Sequence, residues 1–202
     1  MIKSFFKNRD LKKLKDPKFN FLFDEYNGDE IVVFDTETTG LNPKKDEILS
    51  IGAVKVKDNK ILTSKKFEVF IKPTREINEE SIKIHYIRNI DLQNGYEAND
   101  AIENFLYFIG NRPLVGYYLE FDVAMINRYL KPHLGIKLPN IQTEVSKIYH
   151  TKKSRSNPQG FVDLKFDSIM KDLDLPIFGK HDAISDAIMT AMMYIKLKSW
   201  YN

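Results

Sequence analysis

Apolar and polar positions change period several times along the chain. IVVF, residues 31–34, is a short continuous apolar run of the kind that forms a buried strand. ILSIGAVKV over 48–56 predicts a second strand, and Asp58-Asn59 a hairpin turn into a third over 61–72, which Pro73 stops. Helical spacing takes over at 79–87 and again at 97–110, the latter through Ile102, Phe105, Leu106 and Ile109. LVGYY (114–118) predicts a short strand, and from Phe121 the positions Val123, Met125, Ile126 and Leu130 suit a helix ended by Pro132. Residues 140–149 fit neither period, and TKKSRSNPQG (151–160) has the composition of an exposed loop. Helices are predicted over 163–173 and 182–199, the second with Ile184, Ala187, Ile188, Ala191, Met192 and Ile195 as a core-facing stripe. Three strands followed by alternating helices and strands imply an α/β domain, a mixed sheet with helices on both faces.

Residues 1–28 precede this pattern as a basic and aromatic extension, and 29–202 hold the domain. Residues 1–18 carry seven basic side chains against two acidic ones. Phe19, Phe21, Leu22 and Phe23 are predicted to dock the extension on the core, and Asn27-Gly28-Asp29 closes it with a turn.

Composition narrows the class. A chain of 202 residues suits one domain, and 43% hydrophobic residues are too many for a disordered one. No apolar run is long enough to span a bilayer, and the first sixteen residues lack the pattern of a signal peptide. A soluble cytoplasmic protein with no membrane partner is the expectation. The absence of cysteine excludes a disulfide framework, a thiolate zinc site and a cysteine nucleophile. The net charge is +3, concentrated in the extension and in a second basic cluster of Lys147, His150, Lys152, Lys153 and Arg155. Two such patches permit a polyanionic partner without requiring one.

Four acids stand where apolar residues are expected. Asp35 and Glu37 directly follow IVVF, and at a period of two they project from the same side of the strand. Two desolvated like charges need compensation, which a divalent cation supplies. A strand end fraying into water is the plain alternative. Asp122 opens a helix, where an N-cap or a first-turn acid is ordinary. Asp182 reads as the N-cap of the last helix. Asp186, one turn further, borders the apolar stripe, with His181 just ahead of the helix. Oxygen-only ligands suit Mg²⁺ or Mn²⁺, and four carboxylates around two ions about 4 Å apart form a clamp for in-line attack on a phosphodiester. A histidine can take the proton of the attacking water near neutral pH.

This order of motifs resembles the DEDDh branch of the DnaQ-like 3′–5′ exonucleases, the family of the epsilon subunit of DNA polymerase III. FDTETTGLN (34–42), continued by DEILSIGAV (46–54), is similar to the family's first exonuclease motif; VGYYLEFDVAMI (115–126) resembles its Phe-Asp motif; and His181-x4-Asp186 resembles its third. IHYI (84–87) is similar to the Ile-His-Gly-Ile segment near the bound nucleotide in relatives. The resemblance covers residues 30–200. It implies an RNase H-like fold with a mixed sheet of about five strands. It further implies two divalent cations, Mg²⁺ or Mn²⁺, on Asp35, Glu37, Asp122 and Asp186, with His181 as general base. The activity implied is release of nucleoside 5′-monophosphates from single-stranded or frayed 3′ ends of DNA.

Thr38, Thr39, His85 and Phe121 are the candidate contacts to the terminal nucleotide. Turn chemistry, a helix cap and core packing are the other readings of those four. Tyr117-Tyr118 stands where relatives often have His-Asn, and Tyr86 where they have Gly. The end of the chain at Asn202 does not support a replicative polymerase partner, and the sequence leaves the oligomeric state open. Trimming of RNA, as in ribonuclease T or oligoribonuclease relatives, is the competing activity, and a non-catalytic nucleic-acid binding module the competing class.

Overall fold

The computed structural model describes residues 10–156, 160–179 and 181–200. The basic start at residues 1–9 and the 157–159 part of the expected loop lie outside the described residues. One sheet contains β1 (Ile31–Thr38), β2 (Ile48–Lys57), β3 (Lys60–Ile61), β4 (Phe67–Phe70), β5 (Leu114–Gly116) and β6 (Gln142–Glu144). Its order is β3-β2-β1-β5-β6, with β4 also paired to β2. β1 runs antiparallel to β2 and parallel to β5, which runs parallel to β6, so the sheet is mixed. A sixth strand arises because a 3-10 turn at Thr63–Lys65 splits the expected third strand into β3 and β4.

Helices α1 (Glu79–His85), α2 (Ala98–Ile109), α3 (Leu119–Leu134), α4 (Val145–Ser156), α5 (Phe166–Asp172) and α6 (Ala183–Ser199) complete the domain. Alternation along β1 divides the core in two. Val32 and Phe34 are buried with Ile102, Phe105 and Leu106 of α2 and Met125, Ile126 and Leu130 of α3. Val33 is buried instead with Val145 of α4, Ile169 and Met170 of α5, and Met189 and Met193 of α6. Helices therefore cover both faces, and the parity of β1 decides which face each later residue of that strand meets.

The extension joins the first of these cores. Pro17–Phe23 forms a 3-10 turn capped by Asp16, whose carboxylate accepts from the Lys18 N–H, and Phe19, Leu22 and Phe23 are buried against α2 and α3. This contact also explains why α3 does not stop at Pro132 as expected. The Lys15 N–H donates to Leu134 O (3.0 Å) and Lys15 Nζ to Pro132 O (2.7 Å), while Gly135, at φ 77°, donates back to Leu130 O and Lys131 O. The last carbonyls of the helix are thus satisfied around the proline, which stands near enough to the end to cost little.

The expected loop at 151–160 is also corrected: α4 continues to Ser156, after β6 has taken up residues 142–144. Lys152 is 8% exposed and its ammonium donates to Leu197 O near the end of α6. Lys153 Nζ donates to Asp172 Oδ1 (2.7 Å), to which Tyr149 also donates through its hydroxyl (Oδ2, 3.1 Å). These residues join α4 to α5 and α6, a use of lysine that composition does not reveal.

Gly52 fixes how closely α6 approaches. It pairs with Asp35 across the β1–β2 ladder, and a Cβ there would stand 2.2 Å from the Ile184 nitrogen and 2.3 Å from the Ala183 carbonyl carbon. Only glycine lets the first turn of α6 lie on the strand at that level. Asp186 is brought beside Asp35 as a result. Asp182 is the N-cap of α6, as expected, accepting from the Ser185 N–H and hydroxyl (3.3 and 2.6 Å). Among the described residues no helix is long and apolar enough to cross a membrane.

Candidate active site

Asp35 and Glu37 continue the face of β1 that carries Val33, so they meet α6. Oxygens of Asp35, Glu37 and Asp186 lie within 4.8 Å of one another. A register shift between Glu37 and Thr38 bends the strand away just beyond them. Burial pushes the Asp35 carboxyl well up, and the charges of Asp122, Glu37 and Asp186 push it further. Glu37 is 9% exposed, and burial with the charges of Asp186 and Asp122 raises it from 4.5 to about 8. Three crowded, desolvated carboxylates offering oxygen alone fit a hard divalent cation.

Asp122 is not one of this trio. Thr36 belongs to the opposite face of β1, the face of α3, and Asp122 Oδ1 accepts from both its N–H (3.0 Å) and its hydroxyl (2.6 Å). The parallel pairing of β1 with β5 covers only Val32 and Val33, so the Thr36 N–H points into a seam with no strand partner. Asp122, 3% exposed, fills that seam. Burial raises its carboxyl against the lowering effect of the Thr36 hydrogen bonds. It remains close enough to add to the charge felt by Asp35 and Glu37.

His181 is exposed, at φ 60°, and its backbone N–H donates to Asp186 Oδ2 (3.2 Å). With Asp35 and Asp186 it lines a cleft of about 310 Å³, walled by Tyr117, Lys165 and Phe166. The Tyr117 hydroxyl donates to Leu164 O (2.8 Å), and its ring meets Phe166 edge to face at 5.1 Å.

The remaining expected residues stand around this cluster in different ways. The Thr38 hydroxyl donates to Gly40 O (2.8 Å), and that of Thr39 accepts from the Glu47 N–H (3.0 Å), so both threonines close the turn after β1. His85 is 5% exposed; its Nδ1 accepts from the Ile87 N–H (3.0 Å), which leaves the proton on a buried Nε2 with no hydrogen-bond partner. Burial, then the charge of His181, lowers its pKa, so the ring is neutral. Phe121 is partly buried against the α2–α3 core, its ring stacked on Tyr118.

Sequence reasoning missed three contributors. Thr36 anchors Asp122. Lys165 puts a cation on the cleft. Glu144, ending β6, accepts from the Leu119 N–H through Oε2 (2.8 Å) and from the Ser146 N–H and hydroxyl through Oε1 (3.0 and 2.8 Å), capping α3 and α4 at once. Its position at the C-terminal edge of the parallel strands was the available signal, hidden because β6 itself is only three residues long.

A sequence profile described as exonuclease matches residues 32–194. The chain is 34% identical over 167 residues to the PolC-type DNA polymerase III of Thermotoga petrophila, covering 82% of this chain but 12% of that one. It is 29% identical to the DNA polymerase III epsilon subunit of Aquifex aeolicus, with 82% of this chain and 79% of the relative covered. Among solved structures, E. coli exonuclease I in complex with a dT13 oligonucleotide superposes with a TM-score of 0.72 at 14% identity, over 85% of this chain and 41% of that chain. The chain thus spans about an eighth of the PolC-type relative, and the solved structure shares the RNase H-like fold.

Proposed function

The chain belongs to the exonuclease family whose profile spans residues 32–194, and from that premise we propose that it hydrolyses DNA from the 3′ end, releasing nucleoside 5′-monophosphates. The observation that carries this reading is the clustering of Asp35, Glu37 and Asp186, from β1 and α6, at a cleft that Asp35 and Asp186 line together with His181. There Asp35, Glu37 and Asp186, with Asp122 behind them, would hold two divalent cations, Mg²⁺ or Mn²⁺. Bound there, such ions offset the charge that develops on the phosphate oxygens.

The protein's own residues do the rest. His181, on the exposed side of the cleft, accepts the proton of the attacking water at an imidazole nitrogen. The water oxygen bonds to phosphorus, the P–O3′ bond breaks, and the departing 3′ oxygen takes a proton from solvent, to which His181 returns the one it accepted. Asp186 accepts the His181 N–H and so fixes the segment that carries the base. Lys165 faces the phosphate, and the Tyr117–Phe166 wall excludes water from one side. Thr38, Thr39, His85 and Phe121 frame the approach of the terminal nucleotide. Relatives named as DNA polymerase III subunits, and an exonuclease I solved with dT13, favour DNA over RNA.

The test uses 5′-labelled single-stranded DNA and RNA of matched sequence with Mg²⁺ or Mn²⁺ and an EDTA control. The expected result is a ladder that shortens from the 3′ end of DNA and disappears with EDTA. Preference for RNA would reassign the substrate. Cleavage of neither by folded protein, or release from the 5′ end, would overturn the reading.

A further inference from the structure

Tyr117 and Tyr118 are consecutive but serve two different clefts. Tyr117 walls the catalytic cleft. At Tyr118 the backbone turns left-handed (φ 55°, ψ 33°), a conformation that a bulky residue seldom adopts and that tends to persist where it serves a site. The turn sends the second ring the other way. There it lines a cleft of about 490 Å³ between the starts of α3 and α4, with Glu120, Gln142, Ser146 and Lys147 also on its walls. This cleft runs alongside β6, from Gln142 to Glu144, past the C-terminal end of β5, and Tyr117-Tyr118 stands between it and the catalytic cleft.

Tyr118 is 59% exposed although its ring is large and apolar. It lies nearly parallel to Phe121, with centroids 6.2 Å apart and planes inclined by 11°, so the partly buried Phe121 holds it in place. The result is an exposed aromatic face on the wall of a cleft of about 490 Å³, four residues before Asp122. Lys147 supplies a cation on the wall opposite the ring's own helix; of the two carboxylates on the walls, Glu144 is engaged by the Leu119 N–H and by Ser146, and Glu120 is the other. An aromatic face beside a cation suits single-stranded nucleic acid, whose bases stack on it without regard to sequence.

Resting on the exonuclease reading, we propose that Tyr118 is a stacking platform for a nucleotide upstream of the scissile bond. The second cleft then receives the strand as it leaves the catalytic one. Tyr118 touches substrate here but no reacting atom, so its contribution depends on substrate length.

The test compares the full chain with Tyr118→Ala and Tyr118→Phe. Dissociation constants are measured in Ca²⁺ for thymidine 5′-monophosphate and for the tetranucleotide (dT)4, with thermal melts to establish folding. Loss of one stacked base should weaken (dT)4 binding by Tyr118→Ala about 10-fold relative to the mononucleotide, and Tyr118→Phe should restore it. Equal affinity of Tyr118→Ala and the parent for (dT)4 would overturn the proposal. So would an equal loss for both ligands, which would mark a general disturbance of α3, or no binding of (dT)4 by the parent. Because the readout is binding, absence of cleavage in Mg²⁺ alongside a Tyr118-dependent affinity for (dT)4 would sink the catalytic reading and leave the platform standing.

Discussion

The carboxylates at the end of β1 and the lysines of α4 are both charges set against apolar surroundings, and the fold treats them in opposite ways. Lys152 is buried with its ammonium on Leu197 O, and Lys153 is bound to Asp172, so these charges join α4 to its neighbours. Asp35, Glu37 and Asp186 are pressed together, and Asp35 and Glu37 are marked by lost water and by the repulsion of their neighbours. A buried charge with a partner belongs to the architecture. A cluster of like charges whose protonated forms are favoured is a store of unfavourable energy that a cation can release.

The largest effect expected from this contrast is on turnover. Asp35→Asn should lower cleavage by at least about 10³-fold, because a cation ligand and its negative charge are lost together. The same variant should be as stable as the parent or more so in metal-free buffer, since one repulsive charge is gone. Steady-state cleavage and urea unfolding of the two proteins check both halves. Near-parental turnover, or a clearly destabilised variant, would break the comparison.

The pH dependence of metal-free stability sharpens it. Glu37 has its folded pKa raised, from 4.5 to about 8. Its contribution is therefore fully present below pH 4.5 and is lost as pH rises towards 8, because the unfolded chain gives up its proton first. Glu37 alone should lower stability across that window by at most about 5 kcal/mol, and Asp35 acts in the same direction. Saturating Mg²⁺ or Mn²⁺ should raise the melting temperature at pH 8 and do little at pH 5. A metal-free stability that rises with pH over this range would contradict the desolvated cluster.

Gly52→Ala tests the packing that assembles the cluster. A methyl group pushed against the backbone of Ala183 and Ile184 must displace the first turn of α6, at a cost of about 1–3 kcal/mol. A shift of about 1 Å in Asp186 and His181 should lower turnover on the order of 10²-fold. Thermal melts and kcat measured together would separate this from simple unfolding.

How much of this was legible before the fold was known depends on the kind of signal. Asp35, Glu37 and Asp186 were visible because a carboxylate at the edge of an apolar run violates the pattern around it. The N-cap role of Asp182 followed from local spacing. Asp122 was visible as a residue but not in its placement, because strand parity puts Thr36 and Asp35 on opposite faces and Asp122 comes from the side of Thr36. β6 and α4 were hidden for a different reason. QTE becomes a strand only because β5 lies alongside, and TKKSRS becomes a helix only because Leu197 and Asp172 receive its lysines. The continuation of α3 past Pro132 likewise depends on Lys15, more than a hundred positions earlier.

The smallest predicted effect bears on whether the α4 lysines guide nucleic acid. The Lys153–Asp172 pair is short, 2.7 Å, but about a third of each side chain is exposed. Such a pair contributes about 0–1 kcal/mol, so Lys153→Ala should unfold in urea within that margin of the parent. A lysine tracking the phosphate backbone would instead add about 0.7 to the slope of log K against log salt for a single strand. With its ammonium engaged on Asp172 and α5, Lys153 should leave that slope unchanged when replaced, and the slope can be read from (dT)4 titrations at three salt concentrations. A slope lower by about 0.7 in the variant would mean that the ion pair opens to take a phosphate, and that the contrast between spent and unspent charge does not hold at this residue.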